Sequence, residues 1–401
     1  MVKSNVFLMA VMSTLFFMVG FVTTMNNALI DFLANSSWEL TLFEKQLINT
    51  AFFGAYLFSI PLSWILDKLG YKKTTVLSLF IIASGFVLTY PAVIMGYYPF
   101  LFSMFIVALG IAMLQIVLNP YVLSLGSPEK AASRLNLTGF FNSVATVVAP
   151  LFVVFVSSST TSNLNPLNVQ IPFLIIAIFI GILGLLLSFL KMPEILNEKM
   201  NDGSDGNIYK NTRVIFGALA IFIYMGIEIS IPSFLPDRMR TLNLQTVSIL
   251  GWDLNATQIL SLYWAGLMIG RLLGAYILRG FSARRLLTYC AILGIALISV
   301  SLCLVNKWAI FLLLFCGLAN SIMWGSIFNL ALENLGNLAK RASGIVCSFA
   351  IGGAILPPLM GYLQQAFGDL TLGTILVLSC VVLYYLYIIV YSEKFSRMRS
   401  T

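Results

Sequence analysis

The sequence predicts an all-α membrane protein whose twelve transmembrane helices form two pseudo-symmetric six-helix halves. Three observations support this fold class: an apolar composition, twelve apolar runs long enough to cross a bilayer, and a repeat that relates the two halves. Hydrophobic residues make up 59% of the 401 residues and charged residues only 9%. Soluble domains carry about 25% charged residues, so much of this chain must contact lipid.

Each predicted transmembrane helix is a run of roughly 20 or more mostly apolar residues, the length that crosses the hydrocarbon core. The twelve runs cover residues 6–30, 46–66, 73–95, 98–122, 136–157, 171–191, 212–236, 256–279, 284–303, 307–332, 341–364 and 370–392. The longest polar break, 192–211, is rich in Asn, Asp, Gly and Lys and is predicted to link the halves 1–191 and 212–401. The first run is longer than a signal-peptide apolar region, which favours a membrane helix.

The Lys and Arg residues predict the orientation in the membrane. With the N-terminus in the cytoplasm, inner loops and tails hold 18 of the 23 basic residues, outer loops hold four, and Arg271 is embedded. The positive-inside rule therefore predicts a multi-pass protein of the cytoplasmic (inner) membrane with both termini in the cytoplasm. Because this distribution accounts for the net charge of +8, no nucleic-acid partner is expected.

The sequence argues against an enzyme and against a receptor. It contains no histidine, its five cysteines lie in apolar runs without C-x-x-C spacing, and no nucleotide-binding loop is present. We therefore expect no enzyme activity and no cofactor, and transport energy would have to come from an ion or solute gradient. The longest loop is too short for a soluble ligand-binding domain.

The two halves repeat each other at a nearly constant offset. Residues 52–73 and 263–285 each form a helix rich in small residues followed by a basic loop, and residues 119–136 parallel 329–346. Asn119 and Asn329 are 210 residues apart, and so are Gly126 and Gly336. Duplicated six-helix halves are typical of transporters that alternate access to a central site.

The loop "DKLGYKK" (67–73) resembles the signature loop of the major facilitator superfamily. The stretches "SRLNLTGFFNSVATVVAPL", "YMGIEISIPSFL" and "ANSIMWGSIFNLALENLG" resemble its fucose permease and glucose/galactose transporter branch. This resemblance implies the major facilitator fold, a monomer in the lipid bilayer, and import of a monosaccharide by cation symport; the alternative is an exporter or uniporter of another small polar solute. Fucose permease carries carboxylates in helices 1 and 4 where this chain has Asn27 and Gln115, so those two positions cannot carry a coupling proton. A glutamine at the helix 4 position is familiar in the glucose/galactose members, so Gln115 fits that part of the branch.

Two ionisable residues are predicted to lie at membrane depth. Glu228 lies about 24 Å from the inner end of the seventh run at 1.5 Å per residue, where a carboxylate must be wet, paired or protonated. We expect it to bind the coupling cation, Na⁺ or H⁺, or a sugar hydroxyl, and Na⁺ is favoured if Gly226 and Pro232 unwind the helix and free carbonyl ligands. Arg271 is expected to hold a charge network. The alternatives are a structural ion pair or a wet carboxylate for Glu228 and a snorkelling side chain for Arg271; a direct pair between them stays open.

A second set of residues suits a neutral polyol, because amides both donate and accept hydrogen bonds. The candidate substrate-binding residues are Thr24, Asn27, Gln115, Asn119, Asn142, Asn320 and Trp324. Polar contact between helices is the alternative for the amides, and core packing for Trp324, whose ring is expected to stack on the sugar. Candidate gating residues on the cytoplasmic side are Asp67, Lys68, Arg134 and Arg341, with plain positive-inside charge as the alternative for the three basic residues.

Overall fold

The computed structural model describes residues 6–34, 51–158, 170–190, 208–249 and 251–397. The chain forms two compact units: the first comprises residues 1–127, 144–204 and 334–348, and the second comprises residues 128–143, 205–333 and 349–401. The units follow the predicted halves except for two segments. Residues 128–143 pack in the second unit and residues 334–348 in the first, and we call these the exchanged segments. Most of the predicted linker, 192–207, lies outside the described residues.

The first unit is helical throughout its described part. Its helices are α1 (Val6–Ala34), α2 (Ser59–Met95), α3 (Tyr97–Ser124), the later part of α4 (Ala131–Ser158), α5 (Gln170–Phe189) and α11 (Ala339–Ser348), and a 3₁₀ turn, Ala55–Phe58, precedes α2. Apolar helix from Ala51 to Met95 spans 45 residues, about 68 Å at 1.5 Å per residue, which is twice the thickness of the hydrocarbon core. Gly70 breaks it with φ 75°, so this stretch contains the second and third predicted spans.

The second unit contains the remaining helices and a short hairpin. Its helices are the first part of α4, α6 (Thr212–Thr241), α7 (Ala256–Ile277), α8 (Ala283–Cys303), α9 (Trp308–Asn320), α10 (Met323–Leu332), α12 (Gly352–Ala366) and α13 (Leu370–Glu393). Strands β1 (Val247–Ile249) and β2 (Trp252–Leu254) pair antiparallel. This hairpin departs from the predicted all-α structure, because the polar link after the seventh run pairs its own backbone groups outside the apolar spans.

Two predicted spans are interrupted helices. The tenth is divided between α9 and α10 at Ser321 and Ile322, and the eleventh between α11 and α12 by the 3₁₀ turn Phe349–Ile351. In the described part of the chain, ten helices are long and apolar enough to cross a membrane, with 51–95 counted once. The helix α4 covers the fifth predicted span.

Small residues let α2 and α3 approach closely. A Cβ atom on Gly110 would lie 2.6 Å from Ile82 Cγ1, and one on Gly85 would lie 2.7 Å from the Val107 backbone nitrogen. Real side chains cannot occupy those positions without moving the helices apart. Close backbone approach of this kind is a main source of helix association in lipid, where the hydrophobic effect does not drive it.

Candidate functional site

Glu228 and Arg271 form a buried ion pair in the second unit. Glu228 Oε1 on α6 lies 3.5 Å from Arg271 Nη2 on α7, and their side chains are 11% and 12% exposed. The sequence left this direct pair open, and the structure forms it. Little water screens charges that are this buried, so each residue offsets much of the cost of placing the other among apolar helices.

Arg271 also connects α7 to α4. Its Nη1 atom donates to the Gly139 backbone oxygen at 3.2 Å and to Ser143 Oγ at 2.8 Å. The arginine side chain packs against Gly139, where an added Cβ would lie 3.5 Å from Arg271 Cδ, an ordinary van der Waals distance. The guanidinium therefore binds Glu228 and an exchanged segment at the same time, which is the kind of charge network expected of Arg271.

The backbone around Glu228 differs from the expectation. The helix α6 is continuous from Thr212 to Thr241, so the predicted local unwinding at Gly226 and Pro232 is wrong. Pro232 has no N–H and leaves the carbonyl of Glu228, four residues earlier, without its helical donor. The hydroxyl of Tyr263 on α7 donates to that carbonyl at 3.3 Å, which gives it a partner without unwinding the helix.

A chain of buried polar side chains continues from Tyr263. Asn320 Nδ2 donates to the Tyr263 hydroxyl at 2.9 Å, and the Tyr385 hydroxyl donates to Asn320 Oδ1 at 2.5 Å. All three side chains are fully buried. Both ends of the Asn320 amide bind protein groups, which favours the structural alternative for this residue.

Tyr224 links the region of Glu228 to a cluster of aromatic rings. Tyr224 precedes Glu228 by one helical turn on α6, and its ring lies 6.5 Å from the half-buried Trp324 of α10. Trp324 in turn stacks on Phe328 at 6.1 Å. The structure thus brings Trp324 and Glu228 to one region of the second unit. Tyr224 was not predicted, although its spacing of four residues from Glu228 indicates a shared helix face.

In the first unit, Gln115 and Asn119 form hydrogen bonds with different kinds of partner. Gln115 Nε2 donates to the Tyr56 hydroxyl at 3.0 Å, and the half-buried glutamine side chain retains its carbonyl oxygen for another donor. Asn119 is buried and turns back to its own helix, where Nδ2 donates to the Gln115 backbone oxygen at 3.0 Å. Its second neighbour is Cys347 Sγ, at 3.8 Å. Tyr56 is a further residue that the sequence did not indicate.

For the other predicted substrate-binding residues, burial is the main information that the structure gives. Asn142 is half-buried on α4 beside Ser143, and Thr24 is half-buried on α1. The side chain of Asn27 lies outside the described residues. Among the residues that the structure describes, no group of three or more His, Cys, Asp or Glu side chains could hold a metal ion.

The predicted gating residues occupy distinct environments. Arg341 Nε donates to Asp67 Oδ2 at 2.6 Å, which pairs an exchanged segment with the loop 67–73 in the first unit. Lys68 is exposed and forms no ion pair with a described residue. Arg134 is half-buried just before the fifth predicted span, and burial lowers the pKa of its guanidinium to about 10, partly offset by Glu129.

Two serines that the sequence analysis missed hold the exchanged segments in place. Ser133 Oγ donates to the Ala275 backbone oxygen at 2.5 Å, near the end of α7. Ser343 Oγ donates at 2.8 Å to the Ile116 backbone oxygen, the carbonyl that Pro120 leaves without a helical donor. The serines are 210 residues apart, the same offset as the glycines and asparagines of the repeat, so that offset could have identified them.

Comparison with known proteins identifies the family. The family model described as "Major Facilitator Superfamily" matches residues 12–348. The chain belongs to the major facilitator superfamily. Within it, the chain is 36% identical over 374 residues to the "Glucose/galactose transporter" of Brucella abortus biovar 1 (strain 9-941), covering 91% of this chain and 90% of that protein. It is 27% identical to the "L-fucose-proton symporter" of Escherichia coli (strain K12), covering 96% and 93%.

A solved structure supports the same assignment. A crystal structure of the E. coli fucose:proton symporter superposes with a TM-score of 0.82 at 25% sequence identity, covering 98% of this chain and all of that one. The predicted fold class, a twelve-helix major facilitator fold, and the resemblance to the fucose and glucose/galactose branch are therefore confirmed. This major facilitator protein is a multi-pass membrane protein.

Proposed function

We propose that this protein is a secondary active transporter that imports a hexose by alternating access, coupled to a cation gradient. The observation that carries the proposal is the buried Glu228–Arg271 pair among membrane helices, together with Tyr224, which lies one helical turn from Glu228 and packs toward Trp324. An intramembrane ionisable residue is expensive and marks ion or substrate pathways by default. The names of the relatives, glucose/galactose transporter and L-fucose-proton symporter, support a hexose.

We propose Trp324, Gln115 and Asn142 as sugar contacts, each from its surroundings within its own unit. Trp324 is half-buried, so part of its ring is free to cover the apolar C–H face of a pyranose. The amide of Gln115 is oriented by Tyr56 and offers its carbonyl oxygen to a sugar hydroxyl. Asn119 and Asn320 bind protein groups and are weaker candidates. Thr24 and Asn27 stay predictions.

We assign coupling to Glu228, and the geometry favours a proton over sodium. Sodium was expected from free carbonyl ligands in an unwound helix, but α6 is continuous and Tyr263 already binds the Glu228 carbonyl. A proton needs only the carboxylate. Neutralising Glu228 would release Arg271, whose remaining contacts are on α4. Ion binding would thereby change the attachment of an exchanged segment.

The gate that we propose consists of the exchanged segments and their contacts, on the cytoplasmic side by the predicted orientation. The Asp67–Arg341 pair and the Ser343 hydrogen bond attach the segment 334–348 to α2 and α3. The Ser133 hydrogen bond and Arg271 attach the segment 128–143 to α7. Opening would break these contacts, and each is a small local interaction that a conformational change can remake.

The test is uptake into proteoliposomes of labelled D-glucose, D-galactose and L-fucose, with proton and sodium gradients imposed separately. We expect accumulation of at least one hexose above its external concentration, driven by the proton gradient. Accumulation driven only by the sodium gradient would show that sodium, and not a proton, is the coupling ion. Equilibration without accumulation under either gradient would indicate a uniporter, and no uptake of any hexose would refute the proposed substrate class.

A further inference from the structure

The Tyr224 hydroxyl is buried without a hydrogen-bond partner. Its side chain is fully buried, and the hydroxyl is one of a few buried polar atoms among the described residues that lack a partner. Burying an unpaired hydroxyl costs folding free energy, which phenylalanine at the same place would avoid. A polar group kept at this cost needs an explanation, such as a partner in another state of the protein.

The surroundings of Tyr224 identify that partner. Glu228 follows four residues later on α6, so the two side chains share a helix face. The hydroxyl lies close to both Glu228 and Arg271, at the margin of hydrogen-bonding range of the Glu228 carboxylate but without a well-formed hydrogen bond to it. The ring packs against Trp324 at 6.5 Å, which restricts where the hydroxyl can point.

The contacts of Arg271 are unequal. Its guanidinium lies 2.8 Å from Ser143 Oγ and 3.2 Å from the Gly139 oxygen, but 3.5 Å from Glu228. The arginine is thus held more closely by α4 than by the carboxylate of α6. Movement of this part of α4 away from α6 would separate Arg271 from Glu228. Tyr224 would stay with Glu228, because both belong to the same continuous helix.

We propose that the Tyr224 hydroxyl is the second hydrogen-bond partner of Glu228 and binds the carboxylate whenever it separates from Arg271. This inference rests on the proposed coupling role of Glu228. While Glu228 is ionised, before the coupling proton arrives or after it leaves, a phenol donating to the carboxylate makes a charge-assisted hydrogen bond, which is stronger than a neutral one. Tyr224 is therefore a positioning residue that lowers the barrier to breaking the ion pair during each transport cycle.

The experiment is a double-mutant cycle between Tyr224→Phe and Glu228→Gln, read as the initial rate of hexose exchange in proteoliposomes. The probe is whichever of D-glucose, D-galactose and L-fucose is carried best. Loss of one charge-assisted hydrogen bond is expected to slow exchange about tenfold in the wild-type background. In the Glu228→Gln background, where no carboxylate needs the donor, the same substitution should change the rate by about twofold or less.

Tyr391→Phe is the matched control. Tyr391 is another fully buried tyrosine of the second unit, but its hydroxyl already donates to the Ile327 oxygen at 3.4 Å. Its substitution should change exchange by the same factor in both backgrounds. The melting temperature of Tyr224→Phe should equal or exceed that of the wild type, because the hydroxyl that is removed has no well-formed hydrogen bond in this state.

The outcomes separate the inference from the proposed function. Unchanged exchange by Tyr224→Phe in the wild-type background would overturn the inference, as would an equal slowing in both backgrounds or a lowered melting temperature. If Glu228→Gln alone accumulates hexose as the wild type does, the coupling role of Glu228 fails, whatever Tyr224 does.

Discussion

The hydrogen bond between Ser133 and Ala275 gives a quantitative prediction about the proposed gate. The Ala275 carbonyl lies in the last turn of α7, and its usual donor, the Arg279 N–H, bonds instead to the Tyr276 oxygen. Ser133→Ala would therefore leave a buried carbonyl without a partner in the closed gate. The open gate would hydrate it in both proteins. The closed state should lose about 1.4 kcal/mol, which corresponds to a tenfold larger open population.

Cys347 provides the assay. This thiol is fully buried in the exchanged segment 334–348, against Asn119. In a variant whose other four cysteines are replaced by serine, alkylation of Cys347 by N-ethylmaleimide should require the gate to open. When alkylation is slower than reclosing, its rate is proportional to the open population. Ser133→Ala should then raise the labelling rate about tenfold.

Ser133 does not contact the labelled thiol through its hydrogen bond, which makes the test informative. Its hydroxyl donates to Ala275, whereas Cys347 lies against Asn119. Ser188→Ala is the control, since that half-buried serine bonds only to the Leu185 oxygen of its own helix, and labelling should stay at the wild-type rate. A wild-type labelling rate in Ser133→Ala would refute the role of this hydrogen bond in the gate.

Two further predictions concern binding and stability. Trp324→Ala should raise the half-saturation constant for the hexose about tenfold with little change in maximal rate, because a stacking surface is lost. An unchanged half-saturation constant in uptake kinetics would indicate that Trp324 only packs against its neighbours and does not contact the sugar. Asn320→Ala should lower the free energy of unfolding by about 2–3 kcal/mol, because it leaves the Tyr385 hydroxyl and one acceptor site of Tyr263 unpaired. A wild-type melting temperature for Asn320→Ala would contradict the buried network.

Local sequence features predicted the membrane-length helices and indicated that Glu228 and Arg271 lie away from the ends of their helices. The apolar runs were sufficient because each membrane helix must satisfy its own backbone and face lipid or other helices. The break at Gly70 falls inside the basic loop "DKLGYKK" between the second and third predicted spans. The positions of Glu228 and Arg271 followed from counting residues along their helices.

The partners of the predicted site residues depend on contacts between helices, and a single sequence does not show these. Whether Asn320 faces a substrate or Tyr263 and Tyr385 is decided by how α7, α9 and α13 pack. The proline in α6 indicated unwinding, but a hydroxyl from a neighbouring helix satisfies the freed carbonyl instead. Ser133, in contrast, could have been identified from the sequence, because Ser343 lies 210 residues after it, the same offset as in the other repeated pairs.

The most direct test of the central claim is gradient-driven hexose accumulation by Glu228→Gln in proteoliposomes, compared with exchange by the same protein. Glu333→Gln is the matched control, since Glu333 also lies beside an arginine, Arg213, at 3.8 Å but is 45% exposed. We predict that Glu228→Gln abolishes accumulation while it retains exchange, and that Glu333→Gln leaves both unchanged. Accumulation by Glu228→Gln at the wild-type level would show that this carboxylate does not couple transport to the ion gradient.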